Sequence, residues 1–137
     1  MPTQVDTVFD LTTKQGIFDH VATALIKQGR PAMASGGCEY LAPDGCKCAV
    51  GHLLQPDRAH EANGEGSVYA ESTTRSHSAI RLLDPRIPKT PSVKMMLSDM
   101  QNAHDGPAFL DDWQQNWKDG MKSVAASFKL DDTLVAA

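Results

Sequence analysis

Three segments of the chain place apolar residues three and four positions apart, the spacing of one face of an α-helix rather than of a strand. In the first, Ile17, Phe18, Val21, Ala22 and Leu25 repeat until Gly29 and Pro31 stop the run. In the second, Val93, Met96, Leu97, Met100 and Ala103 follow Thr90-Pro91 and end at Gly106-Pro107. The third runs from about Ala108 to Lys129, where Phe109, Leu110, Trp113, Trp117, Met121, Val124 and Phe128 form a stripe interrupted by Gly120. Thr12, with Gln15 three residues on, has the form of a capping box for the first helix, and Thr90-Pro91 caps and starts the second. A chain punctuated in this way has to bury helical stripes against one another.

Between the first two helices lies CEYLAPDGCKCAVGH, residues 38 to 52, which holds all three cysteines and one of the five histidines. Pro43-Asp44-Gly45 has the composition of a type I turn with glycine in the left-handed position, so short strands near Cys38 to Leu41 and Cys46 to Cys48 are expected to pair as a hairpin. In that register Ala42 faces Cys46 and Tyr40 faces Cys48. Strand alternation then places Cys38, Tyr40, Cys46 and Cys48 on one face, with Glu39 and Lys47 on the other. A short helix from Cys48 to Leu54, ended by Pro56, would carry His52 on the face of Cys48. Residues 57 to 75 are polar and are expected to form a long surface loop with a short strand at Val68-Tyr69. Ser76 to Leu83 suits a short amphipathic helix stopped by Asp84-Pro85.

At 137 residues the chain has the length of one domain, 1–137, with enough surface to bury a proper core. A hydrophobic content of 41% and a charged content of 22% match a folded, water-exposed protein rather than a disordered one. No apolar run reaches the ~20 residues of a membrane span. The first residues lack the basic and apolar regions of a secretory signal, so the cytoplasm is the expected compartment and the cysteines are expected as thiols or ligands rather than disulfides. The net charge of −4 is uneven: Arg75, Arg81, Arg86, Lys89 and Lys94 face Asp84 alone, which leaves an acidic remainder that disfavours nucleic acid.

The helix QGIFDHVATALIKQGRPAM, then C-x-Y with PDG-x-K-C-A-V-G-x-L-L at 38 to 54, an acidic loop, and M-Q-x-x-H-D at 100 to 105 together resemble a family of small phage and prophage proteins of uncharacterised function. The resemblance covers about two-thirds of the chain. By position it marks Cys38, Tyr40, Asp44, Gly45, Lys47, Cys48, Gly51, His104 and Asp105. That family holds an aliphatic residue at the place of Cys46 and often a cysteine at that of His52, so Cys38 and Cys48 are the stronger positions. The resemblance implies a phage or host setting and no reaction.

Three chemistries are written into these residues. A zinc site could draw on Cys38, Cys46, Cys48 and His52, which supply the right atoms in a C-x7-C-x-C-x3-H spacing that matches no common two-knuckle arrangement. A thiol hydrolase or acyl transferase could use Cys48, at a helix start where a thiolate is stabilised, with His104 as base and Asp105, or a separate Asp44 or Asp99, to orient it. The plainest alternative packs Cys38 and Cys48 as small hydrophobes under Tyr40, with His104 closing its helix and Asp105 capping the next. Partner contacts could come from Trp113 and Trp117, if they are not core anchors, from Met95, Met96 and Met100 beside them, and from Arg81, Arg86 and Lys89 of the basic stretch. The glycines form no phosphate loop.

The expected architecture is one α+β domain, mainly helical, with four or five helices around one short β-hairpin and the long C-terminal helix as its spine. The expected function is that of a phage- or prophage-encoded accessory protein of the host cytoplasm. It would bind a host or phage protein, a defence or regulatory component included, without catalysis, cofactor, membrane or nucleic acid; homo-oligomerisation is left open. The thiol enzyme and the zinc-stabilised binding module are its rivals.

Overall fold

The computed structural model describes residues 4–34, 37–38, 41–62, 79–107 and 112–136. Four α-helices are present among the described residues: α1 (Lys14–Gln28), α2 (Pro91–Asp105), α3 (Trp113–Phe128) and α4 (Thr133–Ala136). Short 3-10 helices occupy Val50–Leu53, Ala59–Ala62 and Ala79–Leu82. The only ladder among the described residues joins β1 (Met33–Ala34) to β2 (Gly37–Cys38), two residues each. Helix accounts for 57% of what is described, so the α+β expectation is corrected: among the described residues the protein is mainly helical and has no sheet layer.

The hairpin expected around Pro43-Asp44-Gly45 is the specific correction. Leu41 and Lys47 meet in a single isolated bridge, in the expected register, closed by the Ala42 amide on the Cys46 carbonyl at 2.8 Å, but among the described residues no strands extend from it. The outer edge of residue 47 is taken by the side chain of Gln28, at the end of α1. Its Oε1 accepts from the Lys47 amide at 2.8 Å, and its Nε2 donates to the Lys47 carbonyl at 2.9 Å. With the Lys47 donor and acceptor satisfied by a side chain, no further strand gains by pairing on that edge. Asp44 Oδ1 likewise takes the Cys46 amide, and Gly45 holds φ at +91°, which only glycine adopts without strain. After Cys48 the chain turns directly into the 3-10 helix 50–53.

The apolar stripes of α1, α2 and α3 meet in one core, in which Phe18, Leu25, Met96, Met100, Trp117 and Met121 are fully buried. Burial of each such side chain contributes roughly 1.5–3 kcal/mol. α2 and α3 form the most extensive helix pair. At Gly120 they approach so closely that a Cβ would stand 2.8 Å from that of Ala103. Gly120, which interrupts the apolar stripe in sequence, is therefore a point of tight helix contact.

Helix ends show where sequence and structure part by a residue. The cap of α1 is Thr13, whose Oγ1 accepts from the Gly16 amide at 3.0 Å, because Thr12 is held by Asp10. At the other end Gly29 takes φ +77° and returns its amide to Leu25, as its sequence position suggests. Thr90 caps α2, with Pro91 in its first turn. α3 begins at Trp113 after Asp112; residues 108–111, including Phe109 and Leu110, lie outside the described residues. α4 was not expected. It buries Val135, and the side chain of Gln15 fixes the connection to it by bonding both the amide and the carbonyl of Asp131.

The N-terminal segment, residues 4–11, lies across α1 and is anchored by a buried carboxylate. Asp84, wholly inaccessible, accepts from the Val5 amide and from the backbone and side chain of Arg86. Arg86 Nη2 in turn donates to the Val5 carbonyl at 2.6 Å. Further along, the Asp10 carbonyl passes so close to Gly16 that a Cβ there would lie 1.8 Å from it. Antiparallel contact of Leu54 with Leu83 ties residues 79–87 to the 3-10 helix 50–53. No helix among the described residues is long and apolar enough to cross a membrane. The loop expected over residues 57 to 75 contains the 3-10 helix Ala59–Ala62; Val68, Tyr69 and Arg75 lie outside the described residues.

Candidate functional site

Cys48 enters the core where the turn of residues 43–47 ends. Its side chain is fully buried, and its Sγ accepts from the Gly51 amide, within the 3-10 helix that follows, at 3.3 Å. Burial pushes the thiol up to about 12, and the bonds from Gly51 and the Gln101 side chain offset this only in part. A thiolate at this position is strongly disfavoured.

His104 is also fully buried. Its Nε2 accepts from the Ala32 amide at 3.0 Å, and its Nδ1–H donates to Asp105 Oδ1 at 2.7 Å. The tautomer is set by these two partners. Trp113 Nε1 donates to the His104 carbonyl at 3.0 Å, with its ring edge-on to the imidazole. Gln101 lies between the two candidates: its Oε1 accepts from the Val50 amide, its Nε2 donates to both oxygens of Asp105, and its side chain bonds the Cys48 thiol. The fold thus brings Cys48, Gln101, Asp105 and His104 into one network. No described hydrogen bond joins Cys48 to His104, and both imidazole nitrogens already have other partners. Asp105 serves His104 and Gln101, while Asp112 stands at the start of α3.

The remaining proposed ligands are distributed differently. Cys46, nearly buried, receives the Arg30 Nε–H at 3.1 Å, and Arg30 also pairs with Asp44 at 3.2 Å. Burial raises the Cys46 thiol, against a lowering by Arg30. His52 Nε2–H donates to Gln28 Oε1 at 3.0 Å. Burial, with Lys47, His20 and His104 nearby, lowers its imidazole to about 3. Of Cys38 only the backbone, in β2, belongs to the described structure, and Tyr40 lies outside the described residues. Among the described residues no three His, Cys, Asp or Glu side chains converge where they could hold a metal ion.

Trp113 and Trp117 lie in the core, their rings 5.7 Å apart. Arg86 is committed to Asp84 and Val5. Arg81 and Lys89 are on the surface, far in sequence from the other candidates.

An open trough follows α1 instead. Its floor is the helical stripe His20, Thr23, Ala24, Lys27 and Gln28, spaced three and four residues apart. On one side the N-terminal segment contributes Asp6, Val8 and Phe9 to a cavity of about 380 Å³; on the other, Asp44, Cys46 and His52 help to line one of about 460 Å³. Ala24 and Lys27 belong to both. Val8 is 97% exposed.

A chain of bonds holds the walls to the floor. The Phe9 amide donates to Thr7 Oγ1, the Thr7 hydroxyl donates to His20 Nδ1, and His20 Nε2–H donates to the His52 carbonyl at 3.0 Å. From His52 the chain continues to Gln28 and so to Lys47. Phe9 packs its ring edge-on to His20. None of this was legible in the sequence, where Thr7, His20 and Gln28 are ordinary residues on distant segments. Only the composition of α1 hints at it: the outward stripe is small and polar where a solvated helix face usually carries alternating charges.

A comparison with protein-family models, with curated proteins and with solved structures finds no match to this chain.

Proposed function

We propose that this is a phage- or prophage-encoded accessory protein that acts in the host cytoplasm by binding a host or phage protein, with the trough along α1 as its contact surface. The observation that carries the reading is the division of polar groups between core and trough. The atoms a thiol enzyme would need, on Cys48 and His104, are buried and bonded to backbone and neighbouring side chains. The uncovered stripe from His20 to Gln28 lies between two walls, with apolar Val8 presented to solvent at its edge. The phage setting rests on the resemblance of residues 38 to 54 and 100 to 105. A role in countering a host defence is one that such a setting accommodates.

Photo-crosslinkers placed at Thr23 in the floor and at Gln115 on the outer face of α3, in cells that carry the gene, test the proposal. A saturable protein adduct at Thr23 that is absent at Gln115 supports it. Equal labelling at both positions, or none at Thr23, overturns it.

A further inference from the structure

We infer that residues 4–9 form a strap, pivoted at Asp10-Leu11 and latched at Val5 by the Asp84–Arg86 pair, which opens as a unit while the helical core stays folded. Its opening uncovers His20 and removes one wall of the trough, whether or not a partner binds there.

The two ends of the segment are held by different means. At the pivot Leu11 is buried in the core, and Asp10 Oδ1 accepts from the amide and the hydroxyl of Thr12. The Asp10 carbonyl accepts from the Thr13 amide at 3.3 Å and lies against Gly16. Packing and local bonds thus fix this end to the start of α1. At the latch a single peptide unit carries the polar attachment: the Val5 amide donates to Asp84 Oδ2, and the Val5 carbonyl accepts from Arg86 Nη2 at 2.6 Å.

The latch is built to part cleanly. Arg86 Nη2 also lies 2.8 Å from Asp84 Oδ2, while the Arg86 amide and Nε both donate to Asp84 Oδ1 at 2.9 Å. When Val5 leaves, neither charge loses its counter-ion. The Arg86 side chain keeps 30% of its surface in solvent, so water can replace the two bonds that are given up.

Between pivot and latch the segment bridges more than it packs. Asp6 and Val8 are exposed, and the cavity of about 380 Å³ has residues 6–9 on one side and His20, Thr23, Ala24 and Lys27 on the other. Among the described residues, one hydrogen bond joins residues 6–9 to the rest of the molecule, that of the Thr7 hydroxyl to His20 Nδ1 at 2.9 Å. The Phe9 amide turns back on Thr7 within the strap, and the Phe9 ring stands edge-on to the same imidazole. Opening therefore frees the Nδ1 lone pair and one edge of the His20 ring together. A segment with so few buried contacts and no backbone ladder opens at a lower free energy than the core unfolds.

Amide exchange of the full chain, followed by nuclear magnetic resonance in rising sub-denaturing urea, tests the strap. The Val5 and Phe9 amides should exchange at least about a hundredfold faster than those of Leu25 and Met100, with a much shallower urea dependence. Val5→Pro removes the donor held by Asp84; it should speed Phe9 exchange at least about tenfold while leaving Leu25 and Met100 unchanged. Diethyl pyrocarbonate should then modify His20 faster by a similar factor, with buried His104 as the internal reference in mass spectrometry. Exchange of Val5 and Phe9 at the rate and urea slope of Leu25 overturns the inference, because the strap would then open only with the core. That measurement uses the unaltered chain and decides the matter even if Val5→Pro does not fold. In a folded Val5→Pro protein, unchanged Phe9 exchange and His20 modification overturn it as well, as does acceleration of Leu25 and Met100 to the same extent as Phe9.

Discussion

Cys48 has the position of a reactive thiol and the surroundings of an inert one. A helix start ordinarily lowers a thiol's pKa, but here the Gly51 amide and Gln101 act on a sulfur with no accessible surface, and desolvation outweighs them. A rise from 9.0 to about 12 cuts the thiolate fraction at neutral pH by about a thousandfold, so iodoacetamide should modify Cys48 at least that much more slowly than an unfolded-chain cysteine. Mass spectrometry of the native protein, with labelling of Cys48 followed over time, checks this. Labelling of Cys48 at the rate of a free thiol would return the enzyme reading to first place. His104 belongs to the same description: a residue read as a candidate base, whose nitrogens instead tie Ala32 to α2 and hold the neighbouring Asp105.

At the scale of elements, α2 and α3 are joined through a contact that admits no extra atom. Replacing glycine by alanine inside a helix normally stabilises by about 1 kcal/mol. At Gly120 the new methyl would stand 2.8 Å from the Ala103 Cβ and 3.2 Å from its Cα, and overpacking of that kind costs about 1–3 kcal/mol. Gly120→Ala should therefore lower stability, and combining it with Ala103→Gly should recover part of the loss, as urea denaturation of the double-mutant cycle would show. Much of this level was legible in advance. The helix stripes, the Thr90-Pro91 start of α2 and the Gly29 end of α1 follow from local rules, because their determinants lie within a few residues. The shift from Thr12 to Thr13 at the start of α1 depends on Asp10, two residues before Thr12 and a competitor for its amide and hydroxyl. The hairpin was misread because the chain leaves the strand path after Cys48 for the 3-10 helix 50–53, whose Val50 amide is held by the side chain of Gln101, 51 residues away. The trough was invisible for the same reason, since its walls come from residues 6–9 and 44–52.

Across the whole molecule, buried polar groups link the packing to pH. His52 has an imidazole lowered by burial from 6.5 to about 3, and that of His20 is lowered in the same direction. The unfolded chain then takes up these protons first as pH falls, so stability declines below about pH 6.5 and continues to decline towards 3. At pH 5 the contribution of His52 is a loss of about 2 kcal/mol, which His52→Gln should remove from the pH profile of the urea midpoint. Asp84 adds a second, more acidic step. Burial would raise its carboxyl, but the bonds from Arg86 and Val5 more than compensate and hold it below 3.8. Its stabilisation is present above that value and is lost as pH falls through the folded one, releasing the N-terminal segment from residues 84–86.

The bonding of Gln28 to the outer edge of the turn also sets an order of events in time. The turn at residues 41–48 can close within microseconds on its local bonds, Ala42 to Cys46 and Gly45 to Ala42, whereas its edge at Lys47 is bonded once α1 has formed and offered its last side chain. That makes the docking of the turn on α1 a late step with low φ-values at Lys47, and a free peptide of residues 38–52 should populate the turn only in part by nuclear magnetic resonance. A native-like turn in that isolated peptide would show that the local sequence suffices after all.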